Sequence, residues 1–421
     1  MPRRASTQLL CCLITFVFAL CSISTMRAQT FSVLYSFGAP ADGYNPSGGL
    51  VFDSAGNLYG PTSSGGTGRA CGDTGCGTVF QLLHSANGSW SEKVIHSFDG
   101  TDGAHPGNPL IFGDQGVLYG TAACDLTFCY YEGTVFELIP HSDGTWAEST
   151  LHTFPAFPLD GGSPQALVLD SAGNLYGEAD SGGVNNTGLV FELNQANGWR
   201  ESLLYVFGPF QQGDGSSPGG AFSRDADGNL YGTTYVGGAY SQGIAFELTN
   251  DGRVPFWRKT VLYTFPTNFS TRPNGVSFGP DGSLYGTTEG GGTNGKGSIF
   301  RLTRNPDGTW SENDLYSFLG GSDGSSPFGG VAFDNSGNLY GTTVLGGGNG
   351  CDDLGCGTVY RLTHLPGGGW LESILYRFSG SLDGANPVGA LVLDGNNNLF
   401  GVADIGGPHG NEGGVVFEIT P

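Results

Sequence analysis

Six aspartates recur at one place in the sequence, where carboxylates could bind a cation or the hydroxyl groups of a sugar. Each precedes a glycine and, within a few residues, a proline: Asp42, Asp102, Asp160, Asp214, Asp323 and Asp383. Set around the mouth of a channel, they would form an acidic ring with calcium as its candidate ion. The same spacing suits an aspartate that caps a turn whose glycine supplies positive φ. Turn chemistry is the favoured interpretation, because a repeated scaffold requires near-identical copies.

The cysteines outside the first 28 residues form three pairs with identical C-x4-C spacing. They are Cys71 with Cys76, Cys124 with Cys129, and Cys351 with Cys356. In an oxidising compartment such a pair most simply becomes a local disulfide, worth about 2 kcal/mol by chain entropy. Zinc is the alternative, and it is disfavoured because no histidine or second cysteine pair lies nearby in the same copy. We therefore predict three local disulfides.

A smaller set of residues departs from the repeat and could do acid–base chemistry. Glu178 and Asp180 change the third copy of a YGTT-like segment, Asp404 changes the seventh, and His105 and His409 lie in loops expected on one face. A carboxylate pair beside a histidine can act as general acid and base. Lone histidines in loops are more often solvated, so catalysis is the weaker hypothesis.

A segment that the sequence repeats seven times carries these residues, and its first copy is GGLVFDSAGNLYG from Gly48 to Gly60. Within each copy, apolar residues alternate or run continuously over four to seven positions, which is a strand pattern, and Gly-containing turns join them. The phenylalanine that ends the fourth strand recurs at steps of 53 to 61 residues: Phe37, Phe98, Phe154, Phe207, Phe265, Phe318 and Phe378. A four-stranded unit of this length predicts a propeller blade.

The tryptophans show where the ring closes. Six fourth strands follow a tryptophan (Trp90, Trp146, Trp199, Trp257, Trp310 and Trp370), and the one that lacks it is Phe31–Phe37. The last copy stops after its third strand, Gly414–Thr420, so pairing of these two strands would complete a blade and leave no open edge. An open solenoid would instead need capping repeats unlike the others. The sequence predicts an all-β, seven-bladed β-propeller of four-stranded blades, closed by the N-terminal strand pairing into the last blade, as one domain over residues 29–421.

Charge and the N-terminal segment indicate where the protein works. Residues 1–28 read as a signal peptide, with Arg3 and Arg4 before the apolar run Leu9–Ile23. The formal net charge is −22, and an acidic surface repels phosphate backbones and anionic membranes. We expect a secreted monomer, extracellular or periplasmic, with no nucleic-acid partner and no membrane span once the signal is removed.

The repeat resembles a known family. VLYSF at 33–37, DGANP at 383–387, GGLVFDSAGNLYG at 48–60 and GTVFEL at 133–138 together resemble the GloVer tandem repeat of secreted, choice-of-anchor bacterial proteins. The phrase D-x-x-G-N-L-Y, first at Asp53–Tyr59, is similar to the hairpin of NHL-type propellers. The resemblance covers the chain from about residue 31 to its end and implies a secreted or surface-displayed bacterial propeller. Because no anchoring segment follows the last strand, a free protein is expected.

Two functions are consistent with these features. The first is a non-catalytic binding or structural module for an extracellular glycan or protein, without a cofactor. The second is a propeller enzyme acting on carbohydrate, a lyase or hydrolase with its site at the channel mouth. A cluster of acids and histidines converging on that mouth would favour the enzyme, and a rim uniform in all seven copies would favour the binding module.

Overall fold

The computed structural model describes residues 29–38, 41–123, 131–155, 161–209, 213–252, 257–266, 271–348 and 350–420. Within these ranges the chain forms seven antiparallel sheets, connected by turns and a few short 3-10 segments. Each sheet is one blade; in six of them the strand order follows the chain, and in the seventh the N-terminal strand lies beside the C-terminal strand. The predicted all-β, seven-bladed propeller is confirmed.

The strands are numbered β1 to β31 in chain order. Blade 1 contains β2 (Tyr44–Pro46), β3 (Val51–Phe52), β4 (Leu58–Ser64), β5 (Thr78–His84) and β6 (Trp90–Ser97). Blade 2 contains β7 (Ile111–Phe112), β8 (Leu118–Ala122), β9 (Tyr131–Pro140) and β10 (Trp146–Pro155). Blade 3 contains β11 (Gly161–Leu169), β12 (Leu175–Gly182), β13 (Leu189–Asn194) and β14 (Arg200–Val206). Blades 4 and 5 contain β15 (Gly215–Pro218), β16 (Ser223–Arg224), β17 (Leu230–Gly237), β18 (Ile244–Thr249) and β19 (Arg258–Thr264); and β20 (Ser277–Phe278), β21 (Leu284–Thr288), β22 (Ser298–Arg304) and β23 (Trp310–Ser317). Blades 6 and 7 contain β24 (Ser325–Pro327), β25 (Ala332–Phe333), β26 (Leu339–Leu345), β27 (Thr358–His364) and β28 (Trp370–Arg377); and β29 (Ala385–Leu393), β30 (Leu399–Ile405), β31 (Val415–Thr420) and β1 (Thr30–Ser36).

The ring closes as the tryptophan pattern predicts. Strand β1 pairs antiparallel with β31, from Thr30 opposite Thr420 to Ser36 opposite Val415. The N-terminal strand is therefore the outer strand of blade 7, and the backbone groups of both terminal strands are paired. The Phe31 ring adds a stacked contact with Tyr376 of blade 6, at 3.8 Å between centroids.

The hairpin between the first two long strands of a blade is held by an aspartate. Asp53 Oδ1 accepts hydrogen bonds from the main-chain N–H groups of Ala55 (2.8 Å) and Asn57 (2.9 Å), and its Oδ2 accepts one from the Tyr59 hydroxyl at 3.0 Å. Gly56 has a φ of +83°, which the turn requires. At Asp170, Asp225 and Asp334 the carboxylate likewise accepts hydrogen bonds from an Asn side-chain amide and a Tyr hydroxyl. This explains the repeated D-x-x-G-N-L-Y phrase as scaffold chemistry.

The core lies in the seven seams between neighbouring blades. In each seam the phenylalanine that ends an outer strand packs against an aromatic ring on the third strand of the next blade, with centroids 4.9 to 5.4 Å apart. Burying one such ring contributes roughly 1.5–3 kcal/mol, and the aromatic pair adds about 0.5–1.5 kcal/mol. The recurring phenylalanine of the sequence is therefore the residue that joins the blades.

The innermost segment of a blade is one strand in blades 3 and 7, β11 and β29, and it is interrupted in blade 1. In blade 1 the segment begins at Tyr44, breaks after Pro46 and resumes at Val51. The break contains Gly48 and Gly49, whose backbones lie against neighbouring blades: a Cβ on Gly49 would come within 2.9 Å of the Ala390 carbonyl oxygen. Glycine at this position allows the inner strands to meet around the axis.

Candidate functional site

The predicted ring of aspartates lies beside the outer strands. Four carboxylates accept a hydrogen bond from the tyrosine two residues before a seam phenylalanine: Tyr35 to Asp42 (2.6 Å), Tyr205 to Asp214 (2.9 Å), Tyr316 to Asp323 (3.0 Å) and Tyr376 to Asp383 (3.0 Å). Asp102 makes the corresponding contact with His96 at 2.9 Å. Asp160 lies outside the described residues. These contacts serve turn and seam, and a ligand-binding role for the aspartates stays a prediction.

The same seams carry a second ionisable group, two residues after each tryptophan. It is glutamate in five blades and lysine in blade 4: Glu92, Glu148, Glu201, Lys259, Glu312 and Glu372. Burial, and then the Asp42 carboxylate, raises the pKa of Glu92 to about 7. Burial with Asp323 does the same for Glu372. Each seam thus carries a set of three groups: an aspartate, a tyrosine or histidine, and a glutamate or lysine. We call these sets together the outer wall.

Lys259 shows what the outer wall looks like with a cation in it. Its ammonium forms an ion pair with Asp214 and lies 5.2 Å from the ring centroid of Tyr205 and 5.5 Å from that of Phe207. The lysine and aspartate side chains are 10% and 15% exposed. An ammonium held between a carboxylate and two aromatic rings is therefore part of this molecule's own architecture.

A cavity of about 310 Å³ lies on the propeller axis. All seven blades contribute to its wall, mainly with glycine and apolar residues: Gly48, Gly107, Pro109, Ala166, Leu167, Gly220, Ala221, Phe222, Phe328, Gly329, Gly330, Gly389 and Ala390. The polar side chains of the wall are those of Asn108, Gln165, Tyr235, Asn274 and Ser277. Four of these five belong to blades 3, 4 and 5, so the wall is not seven-fold symmetric.

A change in chain length produces part of this asymmetry. The inner segment of each blade contains a proline and, further along, a residue that pairs with the aromatic residue of the second strand. In five blades this paired residue is five positions after the proline: Pro46 to Val51, Pro106 to Ile111, Pro218 to Ser223, Pro327 to Ala332 and Pro387 to Val392. In blades 3 and 5 the separation is four, Pro164 to Val168 and Pro273 to Ser277. Gln165 and Asn274 follow these two prolines directly, and both line the cavity.

Polar side chains of blades 4 and 5 meet at the edge of the cavity. The Tyr235 hydroxyl donates to Asn274 Oδ1 at 3.1 Å and lies 3.4 Å from Glu289 Oε1. Arg272 Nη1 lies 3.4 Å from Glu289 Oε2, with the arginine side chain 56% exposed. Burial and the Glu289 charge raise the pKa of Tyr235, and Asp180 of blade 3 adds to this effect. The cluster offers a phenol, an amide and an ion pair at one point of the rim.

Glu178 lies in the seam between blades 3 and 4 and is fully buried. Within the described part of the chain neither carboxylate oxygen has a hydrogen-bond partner, and both are inaccessible to solvent. It lies over Gly232: a Cβ there would clash with Glu178 Oε1 and would lie 2.8 Å from Phe246 and 3.2 Å from Phe222. Burial raises the pKa of Glu178 well above its ordinary value. We call Gln165, Glu178, Tyr235, Arg272, Asn274 and Glu289 the axial sector.

The other residues considered for acid–base work lie elsewhere in the ring. His105 bonds through Nδ1 to the Ser63 carbonyl at 2.7 Å, at the seam of blades 1 and 2. His409 packs over Gly38 at the closure. Asp404 is on blade 7, and burial raises its pKa to about 6 while an Asn45 hydrogen bond opposes that shift. These three residues therefore stand on blades outside the axial sector.

Two of the three predicted disulfides are confirmed. Cys71 is bonded to Cys76 and Cys351 to Cys356, with Cα separations of 5.2 and 5.3 Å. Cys124 and Cys129 lie outside the described residues. Among the residues that the structure describes, no group of three or more His, Cys, Asp or Glu side chains could hold a metal ion. Calcium at the aspartates has no further support and stays a prediction.

The sequence matches one family model over residues 20–154, 72–258 and 225–421, which together span nearly the whole chain. The chain belongs to the Gloeobacter/Verrucomicrobia repeat family. The resemblance inferred from the repeated phrases is thereby confirmed. No curated protein matches the sequence.

Solved structures similar to this member of the Gloeobacter/Verrucomicrobia repeat family share its fold. The extracellular domain of a one-component system from B. thetaiotaomicron aligns with a TM-score of 0.55 at 11% identity, covering 91% of this chain and 39% of that one. The chain thus spans about two-fifths of that relative's length. A Penicillium chrysogenum α-L-arabinanase complexed with arabinobiose aligns with a TM-score of 0.49 at 14% identity, covering 93% of this chain and 98% of that one. At 11% identity, the likeness to the extracellular domain shows the fold alone.

The two disulfides are consistent with an exported protein. In the described part of the chain, no helix has the length and apolar character needed to cross a membrane. The signal peptide and its cleavage fall outside the described residues.

Proposed function

We propose that the protein is an exported, non-catalytic binding module that takes an extracellular glycan at its axial cavity. The observation that carries this proposal is the asymmetry of the cavity wall, where four of the five polar side chains, Gln165, Tyr235, Asn274 and Ser277, belong to blades 3 to 5. Structural demands around the axis are the same in every blade. A concentration of polar side chains in one sector, with Asn108 of blade 2 outside it, therefore suggests selection for a ligand.

The chemistry of the wall suits a sugar. Phe222, Phe328 and Tyr235 provide aromatic surface for the apolar C–H faces of a pyranose ring, while the amides of Gln165 and Asn274 can both donate and accept hydrogen bonds to hydroxyl groups. Pockets of this kind combine a largely apolar lining with a few placed polar groups. A cavity of about 310 Å³ has room for roughly one or two sugar units, with the remainder of a chain outside.

A glycan array probed with the mature protein tests the proposal, followed by a matched pair of Tyr→Phe variants. Tyr235→Phe removes the hydroxyl at the cavity edge, and Tyr316→Phe removes the hydroxyl that binds Asp323 on the outer wall. We expect Tyr235→Phe to weaken binding about 5- to 10-fold, as the loss of one hydrogen bond does. Tyr316→Phe should lower the melting temperature and leave affinity unchanged. Absence of any glycan hit, or equal effects of the two variants on affinity, would count against the axial site.

A carbohydrate-active enzyme is the second candidate, and one observation favours it. The rim is not uniform: Tyr235, Arg272 and Glu289 converge at one point, and Asp180 influences the same tyrosine. A carboxylate beside a phenol and an arginine could take part in general acid–base chemistry. Incubating the wild type and Glu289→Gln with each array hit, and measuring new reducing or unsaturated ends, separates the two functions. Products formed by the wild type and lost in Glu289→Gln would establish the enzyme.

A further inference from the structure

The unpartnered carboxyl of Glu178 points to the class of glycan. We infer that Glu178 is the acceptor for a primary amine, so that the axial cavity takes an amino sugar. This inference rests on the proposed function and deepens it. It is carried by the position of Glu178, by the absence of a hydrogen-bond partner on either oxygen among the described residues, and by the aromatic rings beside it.

The Glu178 side chain lies behind the cavity wall, near Phe222, which lines the cavity. Threonine occupies the corresponding place in four other blades, as Thr121, Thr233, Thr287 and Thr342. Three of these hydroxyls donate to main-chain oxygens of cavity-lining residues, Gln165 (3.2 Å), Gly329 (3.0 Å) and Gly389 (3.5 Å). A side chain that starts here and is longer than threonine can bring its carboxyl group to the wall by rotation about its own bonds.

Burial of the Glu178 carboxyl group without a partner is unfavourable in free energy. Removing an ionisable group from water without a partner costs several kcal/mol unless it becomes neutral or finds an opposite charge. The hydroxyl of a threonine at this place would donate a hydrogen bond to a main-chain oxygen of the next blade, as it does in blades 2, 4, 5 and 6. A glutamate that forgoes that bond and leaves both oxygens unpaired therefore suggests a role outside folding.

Lys259 shows which ligand group fits such surroundings. Its ammonium is held by one carboxylate, Asp214, and by two aromatic rings. Glu178 offers the same elements without the cation: a carboxyl group, with Phe246 and Phe222 beside the same point above Gly232. Phe222 also lines the cavity and so connects the two. The net charge of −22 attracts a cationic ligand to the mouth.

Binding of an amine should release a proton. The groups that pack against the carboxyl group over Gly232 are the apolar rings of Phe222 and Phe246, and burial is the cause of its raised pKa. The nearest titratable neighbours along the strand are Tyr176 and Asp180, each two residues away. Glu178 is therefore neutral in the empty site and becomes charged when an ammonium pairs with it, so that affinity rises with pH while the amine keeps its charge.

The test uses two probes of one size, the β-1,4-linked trimer of glucosamine and the trimer of N-acetylglucosamine, titrated calorimetrically into the full mature protein at about pH 6. The wild type should bind the free-amine trimer and release a proton, seen as a buffer-dependent enthalpy. Glu178→Gln, which keeps the shape, and Glu178→Thr, which restores the repeat, should each weaken that binding at least about 30-fold. Val402→Thr, which introduces threonine at the corresponding place in blade 7, should leave that binding unaltered.

Stability supplies the second readout. Glu178→Thr should melt a few degrees above the wild type, because it removes a buried unpaired carboxyl and adds a hydroxyl bond between blades. A structural role for Glu178 predicts the opposite sign. Equal binding of the free-amine trimer by wild type and Glu178→Gln, or tighter binding of the acetylated trimer, would overturn the inference and leave the glycan proposal intact. Binding of neither trimer would also overturn it, and the array then decides the proposed function independently.

Discussion

Carboxylates line two regions of this propeller, the outer wall and the axial sector, and their surroundings differ. In the outer wall Asp42, Asp323 and Asp383 accept a tyrosine hydroxyl in the same way from seam to seam. In the axial sector Glu178 takes the place of a threonine, and neither of its oxygens has a hydrogen-bond partner among the described residues. The outer wall also leaves single buried oxygens unpaired in the described structure, one each on Asp42, Glu92 and Glu372. Glu178 differs because both of its oxygens are unpaired and because it stands where the repeat is broken, which is why function is sought there.

The largest effect should come from removing β1, because it tests whether the outer wall is one closed ring. Deleting residues 29–37 leaves the β31 edge of blade 7 open and removes Phe31 from Tyr376 and Phe37 from Phe80. We expect loss of cooperative unfolding, measured by circular dichroism and calorimetry. A circular permutant that places the strand after Thr420 through a short Gly-containing turn should fold again, since Thr30 lies opposite Thr420. Normal melting of the deletion variant would contradict the closure.

A second prediction compares the axis with the hairpins at two glycines of similar conformation. Gly389 (φ +72°) and Gly337 (φ +79°) both lie in the left-handed region. A Cβ on Gly389 would lie 2.5 Å from the Gly49 main-chain nitrogen, whereas one on Gly337 would meet nothing within 4 Å. Gly337→Ala should cost about 1 kcal/mol and Gly389→Ala at least about 2 kcal/mol more, in urea unfolding. Equal costs would show that the inner strands can separate.

The third prediction concerns pH, because the two kinds of carboxylate shift stability in opposite directions. Burial raises the pKa of Glu92, Glu312 and Glu372 to about 7, so their stabilising contribution is present at low pH and is lost as the pH rises through 7. Glu178 acts in the same direction.

The hairpin aspartates act in the opposite direction. Hydrogen bonds hold the pKa of Asp334 below its ordinary value of 3.8 despite burial, and stability from this source is lost as the pH falls below that value. Melting temperature measured from about pH 3 to 8 should therefore peak between about 4 and 6. Replacing the three outer-wall glutamates with glutamine should flatten the basic side of the curve and leave the acidic side unchanged. A melting temperature that rises steadily to pH 8 would contradict this assignment.

The fold can be predicted from the sequence because the spacing of the repeats shows the length, the number and the pairing of the blades. A fixed period, seven seam phenylalanines and a fourth strand without a tryptophan determine blade number and closure. The Asp-Gly loops were predictable as turns, yet their tyrosine partners were not, because the partner belongs to the previous blade's outer strand. Glu178 is visible in the sequence as a departure from YGTT, whereas its burial depends on Gly232 and Phe222 of the next blade.

Gln165 and Asn274 of the axial sector can be found only by comparing the repeats with one another, because no local motif marks them. The shortened spacing from Pro164 to Val168 and from Pro273 to Ser277 is visible in an alignment of the seven copies. Its consequence, polar side chains facing a common cavity, requires the ring to be closed in three dimensions. Sequence periodicity therefore predicts what the copies share, whereas a site formed between copies has to be seen in the structure.

The smallest effect should come from the disulfides, and it separates stability from binding. Cys71–Cys76 and Cys351–Cys356 each close a short loop on blades 1 and 6, outside the axial sector. Replacing either pair with serine should cost about 2 kcal/mol or less by chain entropy, and should leave glycan affinity at the wild-type value. Melting and calorimetric titration of both double variants check this, with Glu178→Thr as the opposite case, in which stability rises and binding falls. If a cysteine variant loses affinity while its melting temperature holds, the ligand contacts those loops, and the division between scaffold and site drawn here is wrong.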